Sequence, residues 1–413
     1  MKASWQENPH RLLAVLVPVF CAIGLFLVRS AQGAPAIKWM YVFDAADFSS
    51  MWDLVAYVLN LRAPIPVVLS VAEILNNQVA GNVDFTTRVL YQAALVLVYV
   101  VALIMASSSV FRLVGSFVLS VVFLWSTVLI HPGNPQTYDI FYPLFVLIYL
   151  LLLKLILSKP RTQKSVLIAA GAGVSLALAE LSRPFVFLML PFLLVGAYQT
   201  LRHRSMHSLI ALLVPVMLLS GGWHLYQLVR YDQITWSNHT GFNLHRAWYM
   251  VETPPLVEES HDAPLVPGRW PNLNTAEHYE NSGRLEQAIL KYIVDQPGPS
   301  LLHAARRFKL VLFEVRTSIY SHRPESDVFL VYRPLVWLSV SWLFVSAVML
   351  LILGLRQKRP WQLLGCPTNM LIVIACLSIC FLVLGDADEE ARFLISVLPF
   401  LAVLPIPRLP AGT

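Results

Sequence analysis

The chain has 413 residues, of which 57% are hydrophobic and 13% charged, with a formal net charge of +6. That composition is too apolar for a soluble globular protein and fits a chain that crosses a membrane many times. Much of the basic excess lies in short loops between apolar runs, and no basic run is interleaved with aromatics as a nucleic-acid stacking platform would be.

In chain order, runs poor in charge recur at 12–28, 89–107, 113–130, 140–157, 166–179, 185–199, 209–219, 335–355, 370–384 and 393–404. They predict an all-α polytopic membrane protein with about ten transmembrane helices, although several runs fall short of the ~20 residues a perpendicular helix needs. The pair flanking Arg183-Pro184 reads as two short helices joined near one interface. Lys2 and Arg11 precede the first run and Ala-Gln-Gly-Ala follows it, as at a cleaved leader; the run exceeds a usual leader core and reads as a span.

Loops carrying Arg112, Lys159, Arg161, Lys164, Arg202, Arg204, Arg356, Lys358 and Arg359 alternate with the others, and the N-terminus carries Lys2 and Arg11. The positive-inside rule makes these cytoplasmic, with both termini inside. Every Asp and Glu except Glu7 then falls in a segment on the opposite, extracytoplasmic side. The chain divides accordingly into 1–28 (cytoplasmic N-terminus and first span), 29–88 (first outer loop), 89–221 (helical membrane core), 222–333 (large outer loop) and 334–413 (C-terminal spans and cytoplasmic tail).

In the first outer loop, 48–61 and 67–75 read as interfacial helices separated by Arg62-Ala-Pro-Ile-Pro66. The large loop opens with aromatic, turn-rich sequence and passes through a Pro/Glu-rich stretch at 253–271. It then predicts a helix with Leu285, Ala288, Ile289, Tyr292 and Ile293 on one face, ending at Gln296-Pro297-Gly298. A second helix is predicted from Ser300, with Leu301, Ala304, Ala305 and Phe308 on one face and Arg306, Arg307 and Lys309 nearby.

Cys21, Cys376 and Cys380 fall in predicted spans and Cys366 in a cytoplasmic loop, so the outer loops have no cysteine to cross-link. Cys376 and Cys380 share a helix face, which packing explains better than a metal. The outer histidines, His131, His224, His239, His245, His261, His278, His303 and His322, lack zinc-ligand spacing, and a carboxylate-bound divalent cation is the cofactor the outer acids could hold. Asn238-His-Thr240 matches a glycosylation sequon, a triplet common by chance.

Four stretches carry a resemblance. They are Tyr41-Val-Phe-Asp44-Ala-Ala-Asp47-Phe48 with Arg62-Ala-Pro64-Ile-Pro66; Tyr138-Asp139-Ile-Phe-Tyr-Pro; Gly222-Trp-His-Leu-Tyr through Asn243-Leu244, with Lys291 to Lys309; and Glu390-Ala-Arg392-Phe393 before Leu398-Pro399-Phe400. In order and topological side, the chain resembles the GT-C superfamily of membrane glycosyltransferases, which includes protein O-mannosyltransferases, lipid A aminoarabinose transferases and many bacterial relatives. Many members have adjacent acids in the first loop, whereas Asp44 is followed by Ala45, leaving Asp44 and Asp47 both open as the base.

The resemblance implies transfer of a sugar from a polyprenyl-phosphate-linked donor to a glycan, lipid or protein acceptor outside the cytoplasm. One carboxylate would take the acceptor proton, and cations would stabilise the departing phosphate. Asp44 and Asp47 are the catalytic candidates, and Asp139, Arg183, Arg306, Arg307 and Arg392 the substrate-binding ones.

Each candidate has a plainer reading. Asp44 could cap the interfacial helix, and Asp139 could be a helix N-cap. Arg183 could pair with Glu180, Arg392 with Asp386, Asp388, Glu389 or Glu390, and the cluster at Arg306, Arg307 and Lys309 could meet anionic head groups. Two other classes fit the span pattern: a polysaccharide polymerase or ligase using undecaprenyl-linked substrates, and a lipid-linked glycan transporter. The first would depend on Arg and His of the large loop, the second on ionisable groups or broken helices near the midplane.

Overall fold

The computed structural model of the chain describes residues 12–13, 16–21, 23–24, 83–106, 109–129, 138–158, 163–183, 185–202, 205–235, 240–258, 275–314, 327–357, 360–385, 394–404 and 406–407. Among the described residues there are helices, turns and bends and no strand. That suits a backbone in hydrocarbon, where a helix satisfies its N–H and C=O groups within one segment.

In order, the helices are α1 (Val83–Met105), α2 (Ser109–Leu129), α3 (Tyr138–Ser158), α4 (Gln163–Ser182), α5 (Phe185–Leu201), α6 (Met206–Val216) and α7 (Gly222–Tyr231). Then come α8 (Thr240–Ala247), α9 (Ala276–Asp295), α10 (Pro297–Phe308), α11 (Asp327–Arg356), α12 (Pro367–Gly385) and α13 (Leu394–Ala402). Residues 16–21 of the first apolar run are also helical.

Each apolar run from 89 onward falls on one of these helices, and among the described residues five segments are long and apolar enough to cross a membrane: Ile140–Ser158, Lys164–Ser182, Met206–Tyr231, Arg333–Arg356 and Pro367–Gly385. Against the expectation of about ten spans, the described residues supply these five, while α1 and α2 run to 23 and 21 residues. The helical part of α5 has 17 residues with Pro191 inside it, and α13 has 9 with Pro399 inside it. The expected interfacial helices at 48–61 and 67–75 lie outside the described residues.

The helix from Met206 to Tyr231 outruns the apolar stretch that announces it. α6 passes into α7 through a π segment, Met217–Gly221, so that Trp223, His224 and Gln227, which read in sequence as the opening of a loop, continue the helix and are buried. The helix stops at Asp232, whose left-handed backbone (φ 55°) is one that a short polar side chain tolerates.

Within the bundle α3 packs along α4, α4 along α6 and α13 against α2. Lipid chains are as apolar as leucine, so close packing and interhelical hydrogen bonds, rather than escape from water, hold such helices together. Gly173 of α4 is a case in point: a methyl group there would run into the Leu212 carbonyl oxygen of α6. Hydrogen bonds cross between helices from Tyr99 Oη to Ser116 Oγ (2.7 Å), between the Tyr142 and Ser378 hydroxyls (2.9 Å) and from Tyr149 Oη to the Leu193 carbonyl (2.7 Å).

Contacts sort the helix ends into two groups. Thr200, ending α5, donates to the Gly365 carbonyl at 3.1 Å, which brings the loops after α5 and before α12 to one end of the bundle. The ends of α4, α7 and α12 gather at the other, beneath a cap formed by α8, α9 and α10.

Candidate functional site

Two corners at the cap end of the bundle concentrate buried polar chemistry. In the first, Glu180 sits in the last turn of α4 with its side chain fully enclosed, and its Oε1 lies 2.8 Å from His224 Nε2 on α7. His224 Nδ1 lies 3.1 Å from the Thr235 carbonyl, which can only accept, so Nδ1 carries the hydrogen. Phe187 of α5 lies against the imidazole with ring centres 4.6 Å apart.

The seam continues outward. Tyr279 of α9 donates its hydroxyl to Gln227 Oε1 of α7, and burial raises the Tyr279 pKa, with Thr235 as a hydrogen-bonding neighbour that partly offsets this. The Gly241 N–H donates to Ser282 Oγ at 2.8 Å, and a methyl at Gly241 would strike the Ser282 carbonyl, so α8 and α9 cross backbone to backbone. Asn281 clamps both sides of Val257, accepting from its N–H at 2.7 Å and donating to its carbonyl at 2.9 Å.

The second corner solves a helix-end problem. The last carbonyls of a helix have no partner within it, and Val383 and Leu384 are such residues at the end of α12. Arg307 Nε donates to the Val383 carbonyl at 2.6 Å and Trp248 Nε1 to that of Leu384 at 2.9 Å. The Ala247 carbonyl, ending α8, accepts from His303 Nε2 at 2.8 Å and Arg307 Nη1 at 3.4 Å. One guanidinium thus bridges two helix C-termini, where a cation is favoured by the helix dipole. Burial chiefly lowers the pKa of His303; the Ala247 hydrogen bond opposes this, and nearby Arg307 and Arg306 add to it.

This corner turns α10 part-way from the expected face, keeping Ala304 and Phe308 half-buried. The helix begins at Pro297 rather than Ser300, since proline is at home in a first turn. Its buried side is Ser300, His303 and Arg307, while Leu301 and Ala305 of the apolar face are exposed. Anchoring through carbonyl acceptors outweighs the apolar periodicity there.

The sequence-predicted residues separate. Arg183 is buried in the tight turn after α4, its N–H bonded to the Glu180 carbonyl and its own carbonyl accepting from the Val186 N–H, both at 3.2 Å. It shares that corner with Glu180 and His224. Arg306 is exposed on α10, one residue from buried Arg307. Asp139 is the second residue of α3, in a first turn whose N–H groups favour a carboxylate. Asp44, Asp47 and Arg392 lie outside the described residues. No group of three metal-ligating side chains occurs among the described residues.

Sequence reading missed the pairing of Glu180 with His224 and the anchoring role of His303. A signal existed for the first: a carboxylate in the last turn of an apolar span needs a partner at that depth. His224 stands 44 residues away, beyond any local periodicity.

No family model matches the chain, and no curated protein matches it. Among solved structures it is similar to the archaeal oligosaccharyltransferase AglB from Archaeoglobus fulgidus, in complex with an inhibitory peptide and a dolichol-phosphate, at 14% identity and a TM-score of 0.45. The alignment covers 97% of this chain and 50% of that one, so the chain spans about half its length.

Proposed function

We propose that this chain is an integral-membrane glycosyltransferase that moves a sugar from a polyprenyl-phosphate donor to an extracytoplasmic glycan, lipid or protein acceptor. The observation that supports the reading is the helical cap fixed by buried polar contacts onto α7 and the end of α12. A cap seated on one end of a bundle suits chemistry on a lipid-borne substrate better than passage through the midplane.

In the reaction, the acceptor oxygen attacks the anomeric carbon and the bond from that carbon to the phosphate oxygen breaks. The acceptor proton passes to Asp44 or Asp47, and polyprenyl phosphate departs with the bonding electrons, needing no proton. Arg183, Arg306, Arg307 and Arg392 are the cations of the reading, with Asp139 orienting the acceptor. Arg307 contributes through its hold on α8 and α12, which sets where the cap sits.

The test is Asp44→Asn and Asp47→Asn separately, in purified protein given lipid-linked sugars and acceptor extracts, with membrane levels matched. Loss of at least ~100-fold with one substitution is expected for removal of a general base. Full activity in both moves the polymerase or ligase reading ahead. Absence of transfer together with substrate movement in vesicles makes the chain a transporter.

A further inference from the structure

The corner where α9 turns into α10 presents large apolar side chains outward. Leu290 is 59% exposed, Val294 77%, Leu301 73% and Leu302 54%, and Pro297, Gly298 and Pro299 between them are exposed too. The exposed charged residues from Leu290 to Lys309 are Lys291, Arg306 and Lys309, against Asp295. We propose that this corner is a membrane-docking surface that inserts shallowly into the headgroup region of an anionic phospholipid bilayer.

Position argues for that occupant. Arg307 ties the far end of α10 to Val383 at the end of a helix long enough to span a membrane. Beyond Phe308 the chain continues as a π segment, Lys309–Glu314, which carries Val311 and Leu312 into the core of the bundle. Leu301 and Leu302 therefore lie roughly 15 Å or less along the helix from side chains packed among the spans. That is the reach of a headgroup layer, where apolar residues of an amphipathic helix sink ~5–10 Å.

Chemistry argues the same way. An apolar face flanked by Lys and Arg is the composition that lies in an anionic interface rather than in water. Tyr249, 76% exposed and edge-on to His303 at 5.6 Å, adds an amphipathic ring of the kind enriched at membrane boundaries. The docking does not rest on the proposed glycosyl transfer; it would hold the cap against the bilayer from which any lipid-borne substrate arrives.

The test uses the full chain with C21A, C366A, C376A and C380A, carrying an environment-sensitive nitrobenzoxadiazole probe at L301C, V294C or, as control, E280C on the exposed start of α9. It is reconstituted in nanodiscs of phosphatidylcholine with or without phosphatidylglycerol. Probes at 301 and 294 are expected to be quenched by lipids spin-labelled near the headgroup, and the control to be quenched by aqueous iodide instead. In anionic discs, R306Q and K309Q should each lower the docking equilibrium roughly fivefold. Iodide access at 301 equal to that at 280, with no lipid quenching, overturns the proposal. Equal lipid quenching in both disc types, unchanged by R306Q and K309Q, overturns its anionic part. Shielding that appears only with two copies per disc overturns it in favour of self-association.

Discussion

In the bundle, Tyr99, Tyr142 and Tyr149 are fully enclosed by aliphatic and aromatic side chains, whereas the buried apolar cluster of the cap is Ala247, Trp248, Val251 and Ile289. The cap makes up the difference with polar anchors: Arg307 and Trp248 on the end of α12, Asn281 on Val257, Ser282 on Gly241 and Tyr279 on Gln227. Shape therefore decides whether the bundle assembles, and individual hydrogen bonds decide whether the cap stays seated. Perturbations of volume should act on the first region and perturbations of charge on the second.

The largest contrast is expected from Gly173→Val, which drives a branched side chain into the α6 backbone. It should cost about 3 kcal/mol or more, since a packed interface cannot open locally. Thermal unfolding in detergent should show a lower midpoint for the whole protein, and an unchanged midpoint would mean that α4 and α6 part easily.

Arg307→Met comes next, leaving the Val383 carbonyl without its cationic donor at a cost of about 2 kcal/mol. Hydrogen exchange should rise across α8 to α10 while α3 and α4 keep their protection. Equal loss in both regions would erase the distinction between bundle and cap.

Acidification should give the smallest effect. Because the folded His303 pKa is depressed, its stabilising contribution is fully present above its ordinary value of 6.5 and is lost as pH falls through that value toward the folded one. Glu286, raised by burial with the Ser282 hydrogen bond opposing, works in reverse: its contribution is present below its ordinary 4.5 and is lost as pH rises through the folded value. Between pH 7.5 and 5.5, exchange in the cap should increase and that of the bundle should not, and His303→Gln should flatten the response. A response that persists in that variant would assign it to another group.

Much of the bundle was legible because helices buried on all sides, or facing lipid, are apolar throughout. Length was less so, since the continuation of α6 into α7 is written in Trp223, His224, Gln227 and Arg230, a composition that also suits a loop. The cap illustrates a harder limit. Leu301 and Ala305 belong to the apolar face of α10, but the surface the helix meets includes the Ala247 and Val383 carbonyls, and a backbone acceptor leaves no signature in residue type. The same holds for Glu180 and His224, each intelligible alone, whose pairing depends on how α4 and α7 are turned. The first-loop acids rest on the resemblance of their motif and its topological side.

The π segment at Met217–Gly221 has a consequence for how the chain tolerates change in length. A wide turn accommodates an extra residue, so everything after it is rotated by about 100° relative to an uninterrupted α-helix. His224 meets Glu180, and Gln227 meets Tyr279, only with that rotation in place. Removing one residue between 217 and 221 would give a more regular helix and swing both side chains away from their partners, so local regularity and the seating of the cap are set against each other at this point.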